Sequence, residues 1–147
     1  MASGARPAGY SGTPLPKKLG LKDGQRALFI ALPPELENLA RAADFAAIAR
    51  APHWRAAKGK DFDVIHAFTL SQAEIAKYLP ALRKSLAEDG MIWVSWPKRA
   101  AKIPTDVTED TIRSVALKGD LVDVKVAAVD EKWSGLKLVV RVAARKR

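Results

Sequence analysis

Apolar residues along this chain come in compact runs separated by polar turns. Arg26 to Leu32 is one such run, set off by the Asp23-Gly24 turn signal, and it predicts a strand. Leu36, Leu39, Ala40 and Ala43 then recur at i, i+3, i+4 and i+7, the spacing of an amphipathic helix. Phe45 to Ala49 fits a short second strand, and its alanines suit a continued helix nearly as well. Phe62 to Thr69 is apolar on both faces, the pattern of a central parallel strand. Ser71 to Glu74 reads as a capping box, with Ser71 at the N-cap and Glu74 reaching back from the third helical position. Ile75, Leu79, Leu82 and Leu86 supply that helix's buried face, and Pro80 predicts a kink or break near Leu79. Asp89-Gly90 then predicts a turn into an apolar strand from Met91 to Trp96, ended by Pro97.

The closing third repeats the alternation. Thr105 or Thr108 caps a helix holding Ile112, Val115 and Ala116, closed by Gly119. Leu121 to Val129 places Val122, Val124, Val126 and Ala128 on one face, with Asp123 and Lys125 on the other. Leu136 to Val142 alternates in the same way, with Lys137 and Arg141 facing out, and the short connection 130–135 predicts an antiparallel hairpin. At the other end, residues 1–13 form a Gly/Pro-rich arm. Thr13-Pro14 then reads as an N-cap and first helical proline for a turn of helix from Leu15 to Leu19, stopped by Gly20. The pattern is α/β: one doubly wound, mostly parallel sheet with helices on both faces and an antiparallel C-terminal hairpin at the edge. The expected domain spans 14–144, between the arm and a basic tail at 145–147.

Composition narrows the chemistry. A chain of 147 residues with 48% apolar content can bury one real core. The absence of cysteine excludes disulfides and thiolate metal sites and fits a reducing, cytoplasmic setting. Two histidines, His53 and His66, argue against a histidine-rich metal site. No apolar stretch is long enough for a membrane span, so a soluble protein is expected. The net charge of +9 is uneven: residues 1–60 hold ten cations against four acids, residues 61–144 hold twelve of each, and the tail adds three cations. That excess can attract phosphate or an acidic partner, although no basic stripe interleaved with aromatics accompanies it.

From Asp61 onward the chain resembles the carboxy-terminal half of class I S-adenosylmethionine-dependent methyltransferases. The resemblance rests on Asp61-Phe62-Asp63-Val64-Ile65, on Leu79-Pro80-Ala81-Leu82, and on Leu86-Ala87-Glu88-Asp89-Gly90-Met91-Ile92. A closer resemblance is to an uncharacterised bacterial family of unknown function. It rests on Gly90 to Lys98, on Trp133 to Val139, and on Gly9-Tyr10-Ser11-Gly12-Thr13-Pro14-Leu15. These likenesses imply a methyltransferase-like fold and bring no established activity.

The methyltransferase pattern calls for a glycine-rich turn after the first strand, where Ala31-Leu32-Pro33-Pro34-Glu35 stands instead. Prolines fix φ and offer no N–H to a ligand, so no bound cofactor is expected. Asp44 precedes Phe45 and does not match the acidic residue that closes the family's second strand. Thr69-Leu70-Ser71 replaces any Asn-Pro-Pro-Tyr type sequence after Phe68, so no catalytic residue is assigned.

Open α/β sheets bind ligands beyond the carboxyl ends of their strands. A crevice of Glu35, Thr69, Ser95 and Trp96, with Lys98 and Arg99 nearby, is the candidate site for a small ligand or protein partner. Against it stands the reading that Trp96 packs under the arm and the cations are a solvated strand end. His66 reads as a core histidine, and Trp54 and Trp133 as ring anchors or stacking platforms. Tyr10 to Thr13 can serve as a lid or dock on another subunit. The leading expectation is a non-catalytic, methyltransferase-like binding domain. An atypical methyltransferase and a weak nucleic-acid binder are the alternatives.

Overall fold

A computed structural model describes residues 13–146, so Gly9 to Gly12 of the arm and Arg147 of the tail lie outside the described residues. Six strands form one sheet: β1 (Arg26–Ile30), β2 (Ala47–Ala51), β3 (Phe62–Phe68), β4 (Leu86–Pro97), β5 (Leu121–Ala128) and β6 (Trp133–Val140). Their order is β2-β1-β3-β4-β6-β5. β2, β1, β3 and β4 run parallel, and β6 pairs antiparallel with both β4 and β5. The mostly parallel α/β sheet with an antiparallel edge follows the sequence pattern.

Two apolar layers sandwich the sheet. On one face Leu28, Ile65, Ile92 and Leu136 meet Ile75, Leu79 and Leu82 of helix α2 (Gln72–Ser85) and Ile112 and Ala116 of helix α3 (Glu109–Lys118). On the other face Phe29, Val64, Met91 and Trp93 meet Leu19, just beyond helix α1 (Leu15–Lys18), and Leu36 and Leu39 of a 3-10 segment at Pro34–Arg41. Trp93 ties this second layer down, its indole N–H donating to the Leu19 carbonyl at 2.9 Å.

Several local expectations shift. Pro14 rather than Thr13 is the N-cap of α1. β1 stops at Ile30 because Ala31 turns to φ 56°, and β2 begins at Ala47 rather than Phe45. The segment after Pro33 is 3-10 rather than α-helical. Leu36 departs to φ −112°, just after the two prolines have fixed the entry, while Leu36, Leu39 and Ala40 are buried as expected. Helix α2 runs unbroken through Pro80, which forgoes one hydrogen bond while buried Ile75, Leu79 and Leu82 hold both halves to the sheet.

Asp89-Gly90 is not a turn but part of β4, which starts directly after α2 at Leu86. The pairing of β3 with β4 slips there, from Phe62–Leu86 to Val64–Met91. Gly90 permits it, because a Cβ would lie 2.8 Å from the Phe62 carbonyl oxygen and 3.0 Å from that of Asp63. Thr108 and Thr111 close a reciprocal capping box on α3.

The largest departure is in β5. Asp123 pairs with Leu138 and Lys125 with Lys137, so Val124 is an extra residue and the alternation inverts across it. Val124 and Val126 are exposed, whereas Leu121 and Ala127 are buried. The expected apolar face of Val122, Val124, Val126 and Ala128 therefore does not form.

Candidate functional site

The chain leaves β1 towards β2 on one side and leaves β3 towards β4 on the other. The sheet therefore opens a crevice between the carboxyl ends of β1 and β3. Ala31 sits at its base and borders two cavities. One, of about 470 Å³, is walled by Pro33, Pro34, Arg50 and Pro52; the other, of about 420 Å³, by Phe68, Thr69, Ser71, Glu74 and Trp133.

Phe68, the last residue of β3, organises the second cavity. Its ring stacks on His66 at 4.3 Å between centroids and meets the edge of Trp133 at 5.1 Å. Its carbonyl accepts the indole N–H of Trp54 at 2.9 Å. Trp54 lies in a 3-10 turn, Trp54–Ala56, and is buried, so it anchors the basic loop to the domain. Thr69 follows: its N–H donates to the Ser95 carbonyl at 3.0 Å, and its hydroxyl to Glu74 Oε1 at 2.6 Å. The Ser71 hydroxyl accepts the Glu74 N–H, as a helix cap should. The carboxylate of Glu74 does not reach back to Ser71, whose N–H is instead held by the Thr69 hydroxyl at 3.1 Å. Only half of the expected capping box exists, because Thr69 competes for its other half.

Glu35 approaches from the β1 side. Its carboxyl is held below the usual carboxylate range, first by its own backbone N–H, then by Lys132 at 3.5 Å and the Trp133 indole, against the opposing effect of burial. The buried Trp133 indole N–H is directed at the Glu35 carboxylate without completing a hydrogen bond of good geometry among the described residues. Asp130 sets this hairpin by accepting the backbone N–H groups of Lys132 and Trp133.

The six residues singled out in the sequence divide. Thr69 lines the second cavity, whereas Glu35 lines neither and reaches it only through Trp133. Ser95 is fully buried, its hydroxyl sharing a hydrogen bond with His66 Nε2 at 2.7 Å, and Trp96 is buried in the layer beneath α2 and α3. Lys98 donates its backbone N–H to the Lys132 carbonyl, and Arg99 is exposed in a 3-10 turn, Arg99–Ala101; neither lines the two cavities. Glu74 and Ala31 carried no site signal in the sequence. Trp133 was ambiguous there, and only the hairpin's position resolves it.

The turn does not fit an S-adenosylmethionine cradle. Pro33 and Pro34 have no N–H, that of Ala31 goes to the Ala51 carbonyl at 2.8 Å, and that of Leu36 goes to the Pro33 carbonyl. The Glu35 N–H serves its own carboxylate. β2 ends at Ala51 with Pro52 following, so no acidic residue stands where a ribose would need one. His66 supplies no base either. It is fully buried, its Nε2 is spent on Ser95, and burial pushes its pKa down to about 3. Among the described residues no cluster of three metal-ligating side chains occurs, and no helix is long and apolar enough to cross a membrane.

The fold is nonetheless that of methyltransferases. The N-methyltransferase NodS from Bradyrhizobium japonicum is 13% identical with a TM-score of 0.60, the match covering 84% of this chain and 89% of that one. The magnesium protoporphyrin IX methyltransferase ChlM from Synechocystis, with bound S-adenosylmethionine, is 12% identical with a TM-score of 0.60, covering 86% and 74%. An S-adenosylmethionine-dependent methyltransferase from Clostridium acetobutylicum is 11% identical with a TM-score of 0.59, covering 84% and 86%. At such identities the likeness shows the fold alone. No curated protein matches the chain. The model of the family described as "Protein of unknown function (DUF3052)" matches residues 61–142, more than half of the chain, and the protein belongs to that family.

Proposed function

We propose that this protein is a non-catalytic domain of methyltransferase fold that binds a small polar ligand or a partner's side chain in the crevice beside Ala31. The observation that carries this reading is the turn itself. Of positions 31–36, two are prolines and three have their N–H engaged within the protein. A phosphate- or carboxylate-bearing cofactor in the usual pose needs those donors. The walls that remain are Phe68, Thr69, Glu74 and the Trp133 ring, with Glu35 behind Trp133. The Ser95 carbonyl holds the Thr69 N–H, and Trp96, Lys98 and Arg99 line neither cavity. Such a set recognises a ligand by hydrogen bonds and ring stacking, and its one hydroxyl–carboxylate pair, Thr69 with Glu74, is engaged in holding the start of α2 through the Ser71 N–H.

Thermal unfolding of the full chain with S-adenosylmethionine and with S-adenosylhomocysteine tests the reading. Neither should raise the midpoint, because only a ligand that binds the folded state shifts it. A saturable stabilisation in the micromolar range would overturn the proposal and favour an atypical methyltransferase.

A further inference from the structure

Acids and bases within residues 61–144 balance in number but not in space. On the side of α2 and α3, arginines take up the carboxylates. Arg83 bonds Asp120 at 2.8 Å and reaches Glu88 at 3.2 Å, and Arg113 bonds Asp123 at 3.0 Å. The opposite face, over β5 and β6, carries lysines instead. Lys125 and Lys137 stand directly opposite each other on neighbouring strands, an arrangement that destabilises a sheet. Lys22 follows Leu21, which is buried in the same layer as Trp93, the β4 partner of Lys137, and the Lys137 ammonium is depressed by burial first, then by the charges of Lys125 and Lys22. Lys18 closes the group from α1, its Nζ donating to the Ala128 carbonyl at 3.4 Å. None of these four lysines forms an ion pair with a described carboxylate.

The bulge creates this face. Were Val124 paired in the regular register, it would stand opposite Lys137, and Lys125 would stand opposite Leu136 and point towards α3, on the side of Asp123 and Arg113. With Val124 left unpaired, Lys125 turns to the far side and meets Lys137. A local irregularity thus maintains a like-charge pair at a cost in stability that a bound polyanion would offset.

We propose that this lysine face, made by Lys22, Lys125 and Lys137 with Lys18 at its margin, binds the phosphate backbone of nucleic acid. The side chains are flexible point charges, suited to phosphate without base readout. Met91 and Trp93 in the same layer are buried and the exposed Val124 beside Lys125 is small, so the face offers charge rather than the large aromatic anchor a protein partner would use. The proposal is independent of the crevice, which lies at the ends of β1 and β3.

Fluorescence anisotropy with a labelled DNA duplex of arbitrary sequence tests it. With about four phosphates neutralised, affinity should fall roughly 150-fold between about 50 and 200 mM salt. In K22Q/K125Q/K137Q the same change in salt should cost only about fourfold, as for a single remaining contact. The exposed lysines Lys58, Lys60 and Lys118 provide a control, since K58Q/K60Q/K118Q removes the same charge and should retain the wild-type slope. Because Lys125 and Lys137 repel, the first triple variant should unfold at no lower temperature than wild type. Should it fail to fold, K22Q alone is expected to reduce the slope of log affinity against log salt by about 0.9. No binding at low salt, equal losses in the two triple variants, or displacement by polyglutamate as effective as by unlabelled DNA would each overturn the assignment.

Discussion

His66 Nε2 lies 2.7 Å from the Ser95 hydroxyl, both residues are fully buried, and His66 Nδ1 has no hydrogen-bond partner among the described residues. The ring is sandwiched in the layer where it stacks on Phe68. A proton added there would sit in an apolar layer with no carboxylate bonded to the ring, which is why the pKa falls to about 3 from the ordinary 6.5.

Stability should therefore depend on pH through this one ring. The unfolded chain takes up a proton near the ordinary histidine value and the folded chain does not, so the full contribution is present above pH 6.5 and is lost progressively as pH falls towards about 3. The slope of unfolding free energy should approach about 1.4 kcal/mol per pH unit within that window. Glu35, Glu37 and Glu88 are held below their ordinary value of 4.5, so their own losses are added only at more acid pH. Urea denaturation of His66→Gln should show a flatter dependence than wild type above that range. Identical slopes would mean the ring is protonated in the folded state.

Ser95→Ala leaves His66 Nε2 buried without a partner and should cost about 1–3 kcal/mol in urea denaturation.

Trp54 holds the basic loop against β3 through one hydrogen bond and one ring. Trp54→Phe keeps most of the ring and strands the Phe68 carbonyl, for about 1–2 kcal/mol. Trp54→Ala also opens a cavity in the layer and should cost about 3–5 kcal/mol. Similar losses in the two variants would show that the hydrogen bond, not the ring, anchors the loop.

Ala31 adopts φ 56°, a region that costs an L-residue about 1–2 kcal/mol relative to glycine. Ala31→Gly relieves that strain and loses about 0.4–1 kcal/mol through the freer unfolded chain, so a small net stabilisation is expected in thermal unfolding. The same variant should gain no stabilisation from S-adenosylmethionine, because Pro33 and Pro34 still lack their donors.

Gly90→Ala places a Cβ against the backbone of Phe62 and Asp63, which cannot yield as a side-chain end would. A loss above about 2 kcal/mol is expected, measured by chemical denaturation, and a neutral substitution would mean that β4 starts later than Leu86.

Local chemistry carries far in this chain. The continuous apolar run of β3, the Gly119 stop, the short hairpin connection and the prolines at 33–34 each act through their own backbone or immediate neighbours. The order of elements and the loss of the cofactor turn were therefore legible from residue types alone. Pro80 and Asp89-Gly90 misled for the complementary reason: packing against the sheet overrode a local signal in both places.

What tertiary structure alone decided are relationships between distant positions. The Thr69 hydroxyl captures Glu74 and Ser71 once β3 ends beside α2, and Ser95 turns inward because β4 pairs with β3 in a register that sets it beside His66. The single extra residue in β5 inverts every side chain after it, since strand periodicity is two and one residue exchanges the faces. Nothing in the local pattern of residues 121–129 encodes that step. It is fixed by pairing with β6, and with it the placement of Lys125 against Lys137.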